Sequence, residues 1–594
     1  MKFISFTTVT PSEDSAPRRL LSFMQLRQLQ AKGVFALLLA LTAFIATLID
    51  THRLTAQQTT DPMLQAMQAE LAREQALLIL PGMQRPYFME YRLDEQTSYE
   101  AVANYGALTR EETSHQRVVR VTVRIGSFLA DSSSSKGDGA VQVAPLGGNE
   151  DKDPAALRYA LWTATDEAYK SALRAYSAKQ AALKRFQSAP TANDFAPSKP
   201  VTRIEPLVAL DLDRATWKQT IVEASGLYAN DPTLRATASH VQFSSANVRG
   251  LAVNRYLINT EGTIVRHGYT GYNATISVGG QASDGMQLAR ANGTTAALAK
   301  DLESAAAFRQ RTIDDLKTLE ALRDAPIVAA EDYHGPVLFS GDASADTLAR
   351  LFVPNIEADR PDVGTTARTQ GAYSSSLHAP VISTLLNVKD DPLLTTFNGQ
   401  HLLGSYDVDD EGVSAQPVDI VLAGKLTNFV IGREPVEDFP DSNGHGRAAP
   451  GQPAHSRAAV TLFTANHPKT SAEMDQQLRS LASQQGRDVY AVETLGGELV
   501  PRLLYVVHAD GRRELVRGAV FDELDARSLR SGIVAAGNDA YVANALGAIP
   551  QTTIAPSLLF GDIEIKRASD EQQKLPYYDP PALIAPASRS KEGH

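Results

Sequence analysis

The sequence predicts an α+β chain, with an N-terminal α+β region of long helices and antiparallel strands and a C-terminal domain rich in antiparallel β-strands. Three observations point there. Apolar residues recur at helical spacing through 153–185 and 296–323, and short segments such as 87–94 alternate apolar with polar residues. Beyond about 330 the chain turns to short strand-like runs divided by Gly, Pro and Asp. At 594 residues the chain is too long for one ordinary core, which predicts two or three domains. Apolar residues at 43% and charged residues at 21% exclude a wholly disordered chain. A net charge of -11 excludes a global attraction to nucleic acid or anionic lipid. The absence of cysteine excludes disulfides, thiolate nucleophiles and thiolate-ligated zinc.

The expected organisation is a signal peptide or anchor over 1–56, an α+β region over 61–330, a β-rich domain over 331–568 and a tail over 569–594. Val34 to Ile49 reads VFALLLALTAFIATLI, without charge and preceded by Arg18, Arg19, Arg27 and Lys32. As a helix it would span about 24 Å, short of a hydrocarbon core of about 30 Å. That favours a secretory h-region, with cleavage after Leu54-Thr55-Ala56, over a stable anchor. A start at Met24 would shorten the long n-region to normal length. The expectation is a periplasmic or secreted product, with inner-membrane anchoring as the alternative.

The elements follow in order. Asp61 is a good N-cap and Pro62 a good first helical residue, so a helix runs over 61–80. Strands at 87–94 and 119–125 place Tyr87, Met89, Tyr91 and Leu93 inward and Glu90, Arg92, Asp94, Arg120 and Arg124 on the other, polar face. Residues 131–153 read as a mobile polar loop. The helix opening at Asp153-Pro154 carries a basic stripe, Lys170, Arg174, Lys184 and Arg185, which reads as a solvated face. Residues 188–200 read as a linker and 213–225 as a short helix. RYLINTEGTIVR at 255–266 is a hairpin, continued by strands at 274–278 and 286–289, and a second long helix covers 296–323. Strands are then expected at 337–340, 418–422, 427–431, 460–463, 503–508 and 515–519. No repeat of fixed period occurs, which disfavours a solenoid or propeller.

The usual catalytic signatures are missing: no HExxH, HExxxH, GxSxG or Walker A loop, and no GxGxxG after a strand. His445 and His455 flank a Gly/Pro loop and could hold a metal only with a third ligand. Asp407 to Gly412 begins like a calcium loop, but Val418 stands where a bidentate Glu is needed, so a turn is the better reading. His508-Ala-Asp510-Gly511 between LLYVV and ELVRG is a hairpin turn.

Several segments of the C-terminal half together resemble the TldD/PmbA family of metallopeptidase-related proteins. They are GPVLF at 335–339, Asp390-Asp391-Pro392, GSYDVDDEGV at 404–413, LTNF at 426–429, SNGHGR at 442–447 and IAPSLL at 554–559. The NTEGT hairpin at 259–263 resembles the family's middle region. The resemblance implies one of two subunit types. One binds a metal through HExxxH and a later Cys and hydrolyses peptides; the other shares the fold, lacks the ligands and pairs with the first. Here the segment after GPVLF, GDASADTLAR at 341–350, offers Asp342 and Asp346 but no histidine. The chain resembles the ligand-free type, with zinc reached only through a metal-bearing TldD-like paralogue and peptides as substrates. The motif residues expected to line its cleft or interface are Asp409, Asp410, Glu411, Gly412, Asn443, His445 and Arg447. Two alternatives stand beside this: a metallopeptidase with atypical ligands such as His445, His455 and an Asp, and an envelope scaffold binding peptides by strand addition.

Overall fold

In the computed structural model the described residues are 61–133, 140–142, 153–186, 192–234, 240–329, 333–361 and 368–568. The apolar segment 34–49, the cleavage point at 56 and the tail from 569 lie outside them. Among the described residues no helix is long and apolar enough to cross a membrane.

Strand alternation builds the first sheet, and the strands are much longer than the sequence pattern suggests. Strands β1 (Phe88–Asn104), β2 (Ala107–Arg124), β3 (Ala140–Gln142), β4 (Thr202–Ile204), β5 (Val241–Asn259), β6 (Ile264–Gln281) and β7 (Gln287–Ala296) form one seven-stranded sheet. Its order is β3-β2-β1-β5-β6-β4, with β7 also on β6. All pairs are antiparallel except β4 with β6. The Asn-Thr-Glu-Gly turn joins β5 to β6 as expected, with Gly262 at φ 98° and Asn259 Oδ1 accepting from the Glu261 and Thr263 amides.

Helix α1 (Pro62–Leu77) starts at Asp61, whose Oδ1 accepts from the Met63 and Leu64 amides. Helix α2 (Pro154–Phe186) covers one face of the sheet, where Tyr91 Oη meets Thr165 Oγ1 at 2.8 Å. Its Lys170, Arg174, Lys184 and Arg185 are exposed. Helices α3 (Arg214–Asn230) and α4 (Ala305–Asp324) join through Trp217 against Phe308 and share a core with Tyr99, Val248 and Ile276. Helix α4 begins at Ala305, not 296, because Ser304 caps it and 287–296 is drawn into the sheet as β7. Here tertiary pairing overrides helical spacing.

Two large sheets and two two-stranded ribbons occupy the described C-terminal half. Strands β8 (Tyr333–Phe339), β9 (Leu386–Asp390), β10 (Thr396–Phe397), β11 (Gln400–His401), β12 (Val418–Leu422), β13 (Lys425–Leu426), β14 (Gly446–Arg447), β15 (His455–Ser456) and β16 (Val460–Ala465) come first. They are followed by β17 (Val489–Leu495), β18 (Pro501–Val507), β19 (Arg513–Val516), β20 (Ala519–Asp522), β21 (Ile533–Ala536), β22 (Tyr541–Ala545), β23 (Gln551–Ala555) and β24 (Leu558–Arg567). One sheet runs β13-β12-β9-β16-β23-β22 and the other β19-β18-β17-β8-β24-β20, with β21 on β24. Helix α5 (Gly341–Leu351) follows β8, and helix α6 (Ser471–Gln485), unforeseen from the sequence, begins with a Thr470/Glu473 capping box. Residues 427–431 form no ladder; Val430 makes a single bridge to Glu357. The hairpin at Asp510-Gly511 joins β18 to β19 as expected.

Two expectations fail for one reason, which is burial by distant chain. Segment 192–200 is no free linker: Phe195 is 2% exposed, lies 4.9 Å from Phe88, and has the Arg124 and Arg433 guanidiniums 3.9 and 4.0 Å from its ring centroid. Residues 131–133, read as part of a mobile loop, are buried, with Asp131 accepting from Arg124 and the Ser133 amide. Phe195→Ala is expected to cost about 3 kcal/mol, the usual loss for truncating a buried aromatic. Denaturant unfolding reads it; a loss under about 0.5 kcal/mol, normal for an exposed position, would restore the linker reading.

Candidate functional site

The polar face of β1 and β2 does not meet water. Glu90, Arg92, Asp94, Arg120 and Arg124 are all buried, because chain from the C-terminal half closes over them. The sequence pattern marked this face as the polar side of the strands, and the structure buries it. Cross-strand partners there are Phe88 with Arg124, Glu90 with Thr122 and Arg92 with Arg120.

The cover is held by buried charge. Asp94 on β1 stands directly opposite Arg255 on β5 and accepts its Nε. Arg255 Nη1 pairs with Asp410, and Arg447 Nε donates to Asp410 Oδ2 at 3.1 Å. The loop carrying Arg447 bonds to the same groups. The Gly451 amide donates to Asp94 at 2.8 Å, the Ala448 carbonyl accepts from Arg255 at 3.1 Å, and Arg92 donates to the Gln452 carbonyl. Burial alone would raise the Asp410 pKa, but Arg255 and Arg447 outweigh it and hold the carboxyl far below its usual range.

The DDEG segment is a tight turn. Asp409 Oδ1 accepts from the Glu411 and Val413 amides at 3.0 and 2.8 Å, and Gly412 has φ 77°. Asp409 Oδ2 accepts from the Gly446 amide at 2.9 Å, so this turn and the SNGHGR segment are one unit. Asn443 braces the neighbouring chain, accepting from the Ile431 amide and donating to the Phe429 carbonyl. His445 is fully buried, with Nε2 3.1 Å from Asp390 and Nδ1 2.9 Å from Asn443 Oδ1. Arg447 also lies over the Tyr406 ring at 4.1 Å.

Beside this strut lies a cavity of about 500 Å³. Its floor is Phe88, Glu90, Arg92, Arg120, Thr122 and Arg124 from β1 and β2, and Phe195 forms part of its wall. Asp359, Arg360, Glu411, Glu434 and His455 line it from the C-terminal half. Of the seven motif residues singled out in the sequence, Glu411 lines this cavity; Asp409, Asp410, Gly412, Asn443, His445 and Arg447 make the strut beside it. Glu411 Oε2 accepts from the Arg433 amide at 2.6 Å and passes so close to Gly446 that a Cβ there would lie 2.0 Å away. Burial pushes the Glu411 carboxyl up to about 7, and burial together with Glu411 raises Asp409. The floor residues escaped the sequence reading; its one signal was acids and arginines alternating on a strand face.

Helix α5 is the segment that the resemblance sets against the ligand helix of the metal-bearing type. It offers Asp342, raised by burial and by Asp346, and Asp346, which accepts from Arg350 at 2.7 Å. With no imidazole and no thiolate, these residues do not fit zinc. His445 and His455 face different carboxylates, Asp390 and Asp359. Among the described residues no group of three or more His, Cys, Asp or Glu could hold a metal ion.

Two substitutions test this geometry. Gly412→Val forces a β-branched residue into positive φ, with a Cβ 2.8 Å from Thr263 Cγ2, and is expected to cost about 2 kcal/mol or more. An unchanged melting temperature would contradict the turn. Glu411 binds its proton more tightly folded than unfolded, so its contribution is fully present below about pH 4.5 and is lost as pH rises through about 7. Glu411→Gln is therefore expected to raise the melting temperature at pH 8 relative to wild type and to leave little difference at pH 4.5. An equal effect at both pH values would count against the buried carboxyl.

Comparison with known proteins adds a domain match and a shared fold. Residues 332–567 match the PmbA/TldA metallopeptidase C-terminal domain. No curated protein matches the chain in sequence. Three solved structures share its fold. One is a candidate modulator of a DNA gyrase from Thermotoga maritima, with TM-score 0.58 and 15% identity over 84% of this chain and 99% of that one. TldE from Thermococcus kodakarensis gives TM-score 0.57 and 13% identity over 84% and 99%. A candidate modulator of DNA gyrase from Bacteroides thetaiotaomicron gives 0.55 and 12% over 85% and 98%. At such identities the likeness is one of fold alone. The domain match at residues 332–567 agrees with the resemblance to the TldD/PmbA family that the C-terminal motifs carry.

Proposed function

We propose that the chain is the non-catalytic subunit type of this family, pairing with a metal-bearing paralogue in peptide proteolysis outside the cytoplasm. The observation that carries the reading is helix α5. It directly follows the GPVLF strand, as the ligand helix would, and bears two aspartates and no histidine in a chain without cysteine. Two carboxylates on one helix leave a zinc-bound water without the ligand set that would hold and activate it. The fold shared with TldE agrees with a partner role. Export rests on the uncharged segment 34–49 and its basic flank.

Three measurements check this. Elemental analysis of the purified chain is expected to find no stoichiometric zinc after mild dialysis. Pull-down from the native host is expected to recover a paralogue bearing HExxxH and a downstream Cys, and only the mixture is expected to cleave unstructured peptides. Stoichiometric zinc, or chelator-sensitive cleavage by the chain alone, would overturn the reading. N-terminal sequencing of the native protein is expected to begin near Gln57; a soluble product retaining residues 34–49 would overturn export.

A further inference from the structure

Exposed apolar surface is concentrated on helices α1 and α2. Of the fifteen large apolar side chains exposed among the described residues, five (Leu77, Ile79, Met83, Tyr159 and Trp162) lie on these helices or just after α1. Tyr159 and Trp162 meet edge to face, with centroids 5.5 Å apart, and are 68% and 45% exposed. A cluster of this kind marks an interaction surface, whereas single exposed apolar residues do not.

The backbone places the five together. Helix α1 runs alongside the first half of α2, where Arg158 pairs with Glu70 at 3.1 Å. Farther on, Tyr169 Oη donates to the Gln84 carbonyl at 2.7 Å and accepts from the Leu80 amide at 3.4 Å. Trp162 stands between these two ties, beside the chain that carries Leu77, Ile79 and Met83. Steps of three and four residues put Tyr159, Trp162, Lys170, Arg174 and Lys184 on one face of α2, and all five are exposed.

Charge on this face runs against the chain's net -11. The acids between 62 and 86 are Glu70 and Glu74, both buried and both paired with Arg73. On α2, Lys170, Arg174, Lys184 and Arg185 stand against Asp166 and Glu167, and Asp166 pairs with Lys170. Lysine is depleted in the core of a protein–protein interface. An amphipathic Trp/Tyr pair with apolar neighbours, flanked by lysine and arginine, instead suits the headgroup layer of a bilayer. Residues 50–60 alone separate the apolar segment 34–49 from Asp61, a reach of about 40 Å when fully extended. Export through that segment therefore delivers α1 to the membrane.

We propose that the exposed face of α1 and α2 rests on an anionic phospholipid surface, with Tyr159, Trp162, Leu77 and Ile79 in the headgroup layer and Arg174 and Lys184 on lipid phosphates. The inference goes beyond the subunit reading and takes from it only export.

Vesicle co-sedimentation of the purified mature chain, beginning at Gln57, tests it, because binding then cannot come from segment 34–49. Vesicles of phosphatidylethanolamine with phosphatidylglycerol are compared with vesicles of phosphatidylcholine alone. The expected result is binding to the anionic vesicles that is about tenfold weaker on the neutral ones and falls with added salt. The chain has two tryptophans, and Trp217 is already buried against Phe308, so a blue shift of emission on binding reports Trp162. Trp162→Ala is expected to remove the shift and weaken binding about tenfold. The double variant Arg174→Glu with Lys184→Glu is expected to weaken binding to anionic vesicles by about the same factor, and carries the test if Trp162→Ala fails to fold. No binding to either vesicle, equal binding to both, wild-type binding by both variants or an unshifted emission in the bound chain would overturn the proposal. So would a lipid-free dimer that shields Trp162 from an aqueous quencher. A chain that pairs with its paralogue yet ignores vesicles defeats this inference alone; one that binds vesicles but never pairs defeats the subunit reading alone.

Discussion

The structure depends on one constraint: a charged sheet face buried beneath a loop. Asp94, Arg255, Asp410 and Arg447 run as alternating charges from β1 through β5 into the C-terminal half, all nearly inaccessible to solvent. Removing one member would leave its neighbour as an uncompensated buried charge, so such a chain holds together only as a whole. The backbone of 446–452 adds amides and carbonyls to the same groups. The two halves of the molecule are thereby tied through ions as well as through apolar contact.

This tie also shapes the cavity. Asp410 points into the charge chain while Glu411, the next residue, turns toward the space over Phe88 and Glu90. The turn that separates them needs Gly412 in the left-handed region and Asp409 as its internal acceptor. The close pass of Glu411 over Gly446 leaves no room for a side chain there. A motif that reads in one dimension as a run of acids is, in three, one structural carboxylate on each side of the turn and one facing open space.

Phe195 shows how far the enclosure reaches. Its ring lies among Phe88, Arg124 and Arg433, and Arg433 bonds in turn to the Ala196 carbonyl and to Glu261 of the NTEGT turn. A stretch with the composition of a linker becomes a wall because three separate parts of the chain converge on it. The same convergence holds Asp131 and Ser133 inside.

What the sequence determined by itself was local. Turn chemistry located the hairpins at 259–263 and 508–511, because Asn, Asp and Gly satisfy the turn through their own side chains and backbone freedom. Capping at Asp61, and strand alternation at 87–94 and 119–125, were legible for the same reason. The C-terminal motifs were legible as a set, and so was the lack of histidine on helix α5. The tertiary structure alone decided which polar face was buried, since alternation records that two faces differ but not what lies against either one. It alone carried the strand expected at 286–289 on to Ala296, where ladder pairing replaces the expected helix start, and it alone brought Glu90 to Glu411 across more than three hundred residues. No local rule encodes that contact, because its energy belongs to the closed cavity and to neither segment on its own.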